Sequence, residues 1–397
     1  MMFTPPPPPR NRYQIGNYLG SLLEMACQEL ELSDTARKRA AEAYTAVGSF
    51  LDADPNLKLW QPQIYAQGSV ALGTTVKPIS GDEFDVDLVC HLVRGHPGLS
   101  QRGVKDAVGN RLKEDANYNR MIKEYKRCWR LNYAEDARMH LDITPAVTDT
   151  ELGGTRIQVT DKESKQWERS NPKGYVDWFD GFAEKPPQVK TIGYILNRKT
   201  FVEAAVEPLP DYPLMKDFLR RTVQLLKRHR SLHFEKRPDE APISVILTTL
   251  AAKAYGSIGA TTFDTEFDVI VAILARMPDH IKKPEMNDGE WEIPNETTVG
   301  ENFADKWNKD RRLPDAFFEW HKRALSDFRA LADAPDNETA QRLLSKVIGE
   351  RAIGAVRKRI TEITSKARNN RVLPVSSTGL VGAAGGTPVR PNTFFGH

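Results

Sequence analysis

The sequence predicts an α+β protein, in which a mixed sheet flanked by helices occupies the first half and a mainly helical domain the second. Segments 84–93 and 138–146 alternate apolar and polar residues with the period of two that is typical of half-buried strands. From about residue 214 to 366, apolar residues recur instead with helical spacing. Because 397 residues exceed what one core usually covers, we expect two domains that share an interface.

The composition is that of an ordinary soluble protein, with 40% hydrophobic and 27% charged residues. No apolar run approaches the length that crosses a bilayer, and the start, MMFTPPPPPR, lacks the pattern of an export signal, so we expect a cytoplasmic protein without membrane contact. The net charge of +3, with acidic and basic residues interleaved, gives no strong sign of nucleic-acid binding.

The three cysteines predict neither a zinc site nor a disulfide framework. Cys27, Cys90 and Cys128 have spacings that match no such pattern, and Cys90 lies within an apolar run. We therefore expect buried thiols.

The first half begins with a Pro-rich leader, residues 1–12, which we expect to be flexible, and continues as a core domain over residues 13–210. A helix is predicted over 14–30, and a second one starts at Ser33 or Asp34 as its N-cap. The following predicted elements are a strand at 64–66, the strand 84–93, a helix over 101–117, and strands over 127–133 and 138–146.

The second half is predicted to be a helical domain over residues 211–367. It follows a polar, proline-containing stretch from about 147 to 212. Helices are expected at 214–229 and in a segment opened by Pro242 at its first position. Residues 368–397 have many small residues and no periodicity, which predicts a flexible tail.

Two carboxylates are predicted to lie side by side on the strand 84–93. Side chains at positions i and i+2 of a strand point to the same face, so Asp85 and Asp87 share one face while Phe84, Val86 and Leu88 take the other. The apolar face indicates a core, and the repulsion between the acids indicates a bound cation.

Asp142 adds a third carboxylate from the alternating strand 138–146. If the two strands are neighbours, the three acids offer the hard oxygen ligands that Mg²⁺ prefers, with Mn²⁺ as a substitute. Two such ions would activate an attacking hydroxyl and stabilise a leaving pyrophosphate. This pattern predicts a nucleotidyl-transfer site.

Gly68 and Ser69 form a candidate phosphate-binding turn between a strand and a short helical segment. The spacing and the lysine of a Walker loop are missing, which disfavours a kinase or P-loop ATPase. Taken alone, a D-x-D strand is more often a surface pair, and a Gly-Ser turn is often an ordinary helix cap. The order of Gly-Ser, D-x-D and a later strand aspartate is much more specific.

These motifs resemble the DNA polymerase β-like nucleotidyltransferases, and more closely the bacterial CD-NTases (the SMODS group), relatives of cyclic GMP-AMP synthase and oligoadenylate synthase. The resemblance covers nearly all of residues 13–366 and is carried by QGSVALGTTV, DEFDVDLV and MHLDITPA, and further by SNPKGYVDWF, LLKRHR, PISVIL and ENFADKW. It implies a cyclic oligonucleotide synthase that joins and cyclises nucleoside triphosphates in anti-phage (CBASS-type) signalling.

The resemblance also implies roles for individual residues. Gly68 and Ser69 would bind the donor triphosphate, and Asp85, Asp87 and Asp142 would hold Mg²⁺. Lys227, as a mobile point charge, and Ser244, in the first turn of a helix, would reach the phosphates from the helical domain. Lys227 also fits a solvated face, and Ser244 a satisfied helix end.

Ser170 and Asn171 are candidates for contacts to a nucleobase, although Asn-Pro is first of all a turn former. His91 and His140 flank the carboxylates, and we expect packed or partly exposed histidines there rather than a general base.

The sequence also leads to expectations about partner proteins and about alternative functions. The resemblance implies accessory regulators and an effector activated by the product. Among the regulators are ubiquitin-transfer-like enzymes acting on the tail; the terminal His397 departs from the family's pattern, so Gly396 is the candidate residue only if processing exposes it. A linear, template-independent nucleotidyltransferase and a non-catalytic binding protein remain alternatives. The three carboxylates argue against the last.

Overall fold

The computed structural model describes residues 11–79, 83–133, 139–163, 165–190 and 216–369, together with 374–375 and 387–388. The predicted leader, apart from its last two residues, and most of the predicted tail, including Gly396, lie outside the described residues. None of the described helices is both long enough and apolar enough to cross a bilayer.

A seven-stranded mixed sheet forms the centre of the first half. Its central order is β1-β2-β5-β4-β3, with β6 paired to β5 and β7 to β6. β2 and β5 run parallel, and the other pairs of this sheet are antiparallel. The strands are β1 (Pro62–Ala66), β2 (Phe84–Leu92), β3 (Ile122–Glu124), β4 (Trp129–Asn132), β5 (Met139–Thr148), β6 (Ile157–Val159) and β7 (Glu168–Ser170).

Helices surround this sheet and form the second half, which confirms the predicted α+β class. They are α1 (Asn11–Leu30), α2 (Asp34–Asp52), α3 (Pro55–Lys58), α4 (Gly68–Ala71), α5 (Gln101–Glu114), α6 (Ala116–Met121), α7 (Pro172–Ala183), α8 (Phe218–His233), α9 (Ser244–Ser257), α10 (Glu266–Arg276), α11 (Arg312–Ala332), α12 (Asn337–Ile348) and α13 (Glu350–Asn369). Two-residue strands pair at β8 (Gln188–Val189) with β9 (Thr262–Phe263), and at β10 (Pro374–Val375) with β11 (Thr387–Pro388).

Three local predictions differ from the structure. The predicted helix 101–117 is interrupted at Asp115, because the Asp115 carboxylate accepts hydrogen bonds from the amides of Asn117 and Tyr118 and so starts α6. Pro242 is not the first residue of a helix, since α9 begins at Ser244 with Ile243 as its N-cap. The polar stretch from 147 contains α7, which Asn171 caps.

The hydrophobic cores do not follow the predicted boundary near residue 211. The sheet packs on α2 and α5 in one cluster of buried side chains. The other large cluster joins the C-terminal helices to α1 and α7, with Leu22, Leu23 and Phe179 fully buried there. The N-terminal helix is therefore part of the helical core, because its apolar face packs against α8, α12 and α13.

Candidate active site

β2 presents Asp85 and Asp87 on one face, as predicted. Val86 and Leu88 point the other way into the core of the sheet half, where they are 1% and 0% exposed. Asp85 is exposed and Asp87 is half-buried. The alternation that was visible in the sequence thus divides this strand into a core face and a polar face.

The neighbouring strand β5 brings the third carboxylate beside this pair. In the parallel register of β2 and β5, Asp87 is paired with Asp142, and Asp85 with His140. Register partners on adjacent strands point to the same face of a sheet. Asp85, Asp87 and Asp142 therefore lie together on one face.

Arg130 holds the carboxylate of Asp142 from the other side. It lies opposite Asp142 in the antiparallel pairing of β4 with β5. Its Nε and Nη2 donate to Oδ1 and Oδ2, each at 2.7 Å, and the hydrogen bonds to Asp142 raise the pKa of the guanidinium. The guanidinium also stacks over the ring of Tyr125 at 4.4 Å. This bidentate contact fixes the orientation of the Asp142 carboxylate.

His140 forms the corresponding contact with Asp85. Its Nε2 pairs with Asp85, and its Nδ1 lies 3.2 Å from Glu83 Oε2. Burial by itself would raise the pKa of Asp85, but His140, with help from Arg130 and Lys227, lowers it below its usual value. Burial would lower the pKa of His140, and Asp85 raises it.

Asp87 is the carboxylate of the cluster whose ionised form is disfavoured by its surroundings. Burial, followed by the charges of Asp85 and Asp142, raises its pKa to about 7. In the contacts of the described chain, Asp142 and Asp85 each have a cationic partner in an ion pair, whereas Asp87 has none. An additional cation at this point would stabilise the ionised carboxylate.

The Gly68–Ser69 turn lies directly against Asp87. The amide of Gln67 donates to the carbonyl of Asp87 at 2.9 Å. Gly68 has a φ of +60°, and a Cβ at this position would stand 2.7 Å from Asp87 Oδ2. A side chain is therefore excluded both by backbone conformation and by the carboxylate. The structure thus brings the predicted phosphate turn and the predicted carboxylates together.

Lys227 reaches this region from α8, but its placement differs from that of a mobile charge. Its ammonium is buried and donates to the carbonyl of Thr74 at 2.8 Å. Burial, and then the charges of Arg230 and Lys216, lower its pKa to about 7, while Asp87 and Asp85 oppose that shift. Lys227 therefore lies within electrostatic range of the carboxylates, in a fixed orientation.

Ser244 is the first residue of α9, and Arg230 connects it to α8. The Nη1 of Arg230 donates to Ser244 Oγ at 3.3 Å and to the carbonyl of Pro242 at 2.8 Å. Burial lowers the pKa of Arg230 to about 10. Arg230, one helical turn after Lys227, thus links α8 to Ser244 at the start of α9.

Ser170 and Asn171 are placed differently from the other predicted residues. Ser170 lies at the end of the edge strand β7. The buried amide of Asn171 accepts from Gly174 N at 3.1 Å and Thr155 Oγ1 at 2.8 Å, and donates to the carbonyl of Thr297. Asn171 is thus engaged as the cap of α7, which matches its interpretation as a turn former, and contact with a base stays a prediction.

Arg130 and His140 were not predicted as site residues. A signal for His140 exists in the sequence, because it precedes Asp142 by two positions and so shares its face of the strand. The position of Arg130 depends on the register of β4 against β5, which no local pattern in the sequence specifies.

Replacing Arg130 with methionine is expected to lower the free energy of unfolding by about 3 kcal/mol, because the buried carboxylate of Asp142 loses its ion-pair partner. Urea denaturation in buffer without divalent ions measures this. Arg102→Met is the control, since Arg102 pairs with Asp106 and Glu124 at the surface and its loss should cost less than about 1 kcal/mol. Equal losses of unfolding free energy in both variants would show that the Arg130–Asp142 pair stabilises the fold no more than a surface ion pair does.

The carboxylates fit a divalent cation by their chemistry. Within the described ranges, no three His, Cys, Asp or Glu side chains are arranged to hold a metal ion as they stand, with Asp142 turned to Arg130 and Asp85 to His140. All three acids nevertheless offer hard oxygen ligands on one face, and burial, followed by the charges of Asp85 and Asp142, raises the pKa of Asp87. Mg²⁺ therefore remains a prediction that the donor set supports.

Sequence comparisons identify related proteins along most of the chain. A family model described as the Second Messenger Oligonucleotide or Dinucleotide Synthetase domain matches residues 19–182. A protein of Roseivirga ehrenbergii named c-di-GMP synthase is 32% identical over 388 residues, which cover 96% of this chain and 97% of the relative. The cyclic dinucleotide synthase CdnG of Bradyrhizobium diazoefficiens is 25% identical, over 84% and 81% of the two chains.

Solved structures agree in fold. The CD-NTase CdnG of Bradyrhizobium diazoefficiens in complex with GTP has a TM-score of 0.63 at 20% identity, covering 86% of this chain and 99% of that one. The cyclic AMP-GMP synthase DncV of Vibrio cholerae, in complex with nonhydrolyzable GTP, has a TM-score of 0.52 at 15% identity, covering 86% and 88%. Together with the relative from Roseivirga, these matches establish that the chain belongs to the bacterial CD-NTases, a family of polymerase β-like nucleotidyltransferases.

Proposed function

We propose that this CD-NTase is a cyclic dinucleotide synthase that joins two GTP molecules through two phosphodiester bonds and releases one pyrophosphate for each bond. The observation that carries the proposal is the register of β2 and β5, which places Asp85, Asp87 and Asp142 on one face beside the Gly68–Ser69 turn. The choice of guanine is supported by the relative named c-di-GMP synthase.

The chain's own residues hold the substrates in this proposal. The backbone of the Gly68–Ser69 turn, which leaves no space for a side chain at position 68, cradles the triphosphate. Lys227 and Ser244 complete the phosphate contacts from α8 and α9, and the ammonium, which bonds to the carbonyl of Thr74 through one of its three protons, donates another to a phosphate oxygen. Fixing both nucleotides in line is a large part of the rate enhancement in nucleotidyl transfer.

Asp85, Asp87 and Asp142 are proposed to hold Mg²⁺, with Mn²⁺ as a substitute. When bound, the ions polarise the attacking hydroxyl and neutralise charge on the leaving pyrophosphate. Arg130 orients the carboxylate of Asp142, and His140, against the effect of burial, lowers the pKa of Asp85. Asp87, whose pKa is raised, gains most from that cation.

Accessory proteins and a downstream effector form part of the same proposal. The E. coli CdnC structure contains a HORMA partner, and its TM-score to this chain is 0.57 at 15% identity. We propose that this enzyme acts in the cytoplasm in anti-phage signalling, where a regulator controls its activity and its product activates an effector.

Conjugation through Gly396, which lies outside the described residues, is tested by mass spectrometry of the C-terminal peptide after incubation with ubiquitin-transfer-like enzymes. The detection of unlinked C-termini alone would rule out conjugation.

Product analysis tests the proposed reaction. Purified protein with Mg²⁺ is incubated with each radiolabelled nucleoside triphosphate separately and with all four, then treated with phosphatase and separated by chromatography. We expect a phosphatase-resistant product from GTP alone, absent from the Asp85→Ala/Asp87→Ala variant. Phosphatase-sensitive oligonucleotides would indicate a linear nucleotidyltransferase. Tight GTP binding without any product, also in the presence of accessory proteins, would indicate a non-catalytic binding protein.

A further inference from the structure

One face of α8 is bonded to the backbone of residues 72–77, the loop that follows the Gly68–Ser69 turn. Arg220 Nε donates to the carbonyl of Leu72 at 2.8 Å, and Gln224 Nε2 to that of Thr75 at 2.8 Å. Arg228 Nη2 donates to the carbonyl of Lys77 at 2.6 Å. The spacing of four residues places these three side chains in a row along the helix.

Lys227 lies beside this row and bonds to the carbonyl of Thr74. Four carbonyls of one short loop are thus directed toward a single helix. The loop also packs against the helical core through Leu72 and Val76. The helical half therefore determines the path of a segment that belongs, by sequence, to the nucleotidyltransferase half.

The 72–77 loop is in turn bonded to the phosphate turn. The amide of Thr74 donates to the carbonyl of Ser69 at 2.9 Å, and the hydroxyl of Thr75 lies 3.4 Å from Ser69 Oγ. A displacement of the loop would therefore move Ser69. The contacts form one continuous path from α8 to Ser69.

Burying these polar side chains costs free energy. Arg220, Gln224 and Arg228 are each 4% exposed or less. Asp217 and Asp180 compensate the charge of Arg220, but the described contacts give Arg228 a carbonyl and no carboxylate, and burial lowers its pKa. Apolar side chains would pack a helix face more cheaply than buried cations do. The cost of burying these groups therefore favours a role in orienting the loop over a role in stabilising the helix.

We propose that Arg220, Gln224 and Arg228 are positioning residues that hold the 72–77 loop, and through it the Gly68–Ser69 turn, in the geometry that binds the β- and γ-phosphates of the nucleotide. They act through the loop and need not touch the substrate. The inference rests on the proposed function for the identity of the ligand, a nucleoside triphosphate.

Affinities for GTP and GMP test the positioning role, because GMP lacks the two outer phosphates. Calorimetric titrations compare the wild-type protein with Gln224→Met, Arg228→Met and the double variant. We expect the double variant to bind GTP at least about tenfold more weakly, with the affinity for GMP unchanged. Arg228→Lys, which keeps a donor at this position, should recover part of the affinity for GTP.

Arg221→Met is the matched control. Arg221 lies on the same helix with a side chain that is 12% exposed, but it pairs with Glu24 on α1 and Glu266 on α10, away from the loop. We expect it to lower the unfolding temperature at least as much as Arg228→Met does, without changing the ratio of GTP to GMP affinity. An equal loss for both nucleotides, or the same change of ratio in Arg221→Met, would overturn the positioning role.

The product assay separates this inference from the proposed function. If the wild-type protein makes no cyclic product but the GTP affinity depends on Gln224 and Arg228 as described, the positioning role stands and the proposed reaction falls. If cyclic product forms and both affinities are insensitive to these residues, the reaction stands and the positioning role falls.

Discussion

Replacing Asp87 with asparagine is expected to lower the rate of nucleotidyl transfer by about 10³-fold or more, roughly 4 kcal/mol of transition-state stabilisation, while the protein remains folded. Asp87 is the central carboxylate, paired in register with Asp142 and two residues from Asp85. Asparagine has nearly the same shape but lacks the charge that a cation needs. The rate of pyrophosphate release from GTP measures the effect.

The same substitution is expected to leave the thermal stability unchanged or to raise it in buffer without divalent ions. Asp87 is half-buried beside two other acids. Partial burial, followed by the charges of Asp85 and Asp142, raises its pKa to about 7, so its ionised form is unfavourable. Adding Mg²⁺ should raise the unfolding temperature of the wild-type protein but not that of the variant. A variant that loses stability and responds to Mg²⁺ as the wild type does would contradict this assignment.

Asp149→Asn is a suitable control for Asp87→Asn. Asp149 is fully buried, but its carboxylate accepts from the amides of Glu151 and Leu152 and pairs with Arg169. We expect this variant to lose stability and to retain the rate of the wild type. A lower rate with unchanged or raised stability in Asp87→Asn, and lower stability with an unchanged rate in Asp149→Asn, would distinguish a functional carboxylate from a structural one.

Replacing Gly68 with alanine is expected to lower the rate at least about 100-fold, because the new methyl group would displace Asp87, and small misplacements of catalytic groups have effects of this size. A Cβ would stand 2.7 Å from Asp87 Oδ2, and the φ of +60° adds strain. Initial rates with GTP, and unfolding temperatures, are measured side by side.

Gly153→Ala separates the two effects of the Gly68 substitution. Gly153 has nearly the same φ, +61°, but no described atom lies within 4 Å of the position that its Cβ would take. Both variants should lose about 1 kcal/mol of stability from backbone strain. Only Gly68→Ala should lose activity. Comparable rates in the two variants would show that the close approach of position 68 to Asp87 does not affect catalysis.

The arrangement within each strand was predictable from the sequence. The alternation around Asp85 and Asp87 predicted which face is polar, because a strand leaves only two orientations for successive side chains. The side chain of Ser33 caps α2 as predicted, by accepting from the amide of Ala36. Such features depend on residues that are close together in the chain, and for that reason local sequence patterns predict them.

Contacts between distant segments were not predictable. The register that pairs Asp142 with Arg130 depends on how three strands assemble, and a single sequence contains no local signal for it. Lys227 was expected as a mobile charge, but the burial of α8 and the carbonyl of Thr74 fix it. The packing of α1 into the helical core likewise depends on helices from the other end of the chain, α8, α12 and α13.

A crystal structure with Mg²⁺ and a nonhydrolysable GTP analogue would test the central claim most directly. We predict the triphosphate within hydrogen-bonding distance of the Gly68–Ser69 turn and of Lys227, and metal ions bound by Asp85, Asp87 and Asp142. A triphosphate bound elsewhere, with Asp142 still paired to Arg130 and no ion at the three aspartates, would contradict the assignment of this face as the nucleotidyl-transfer site.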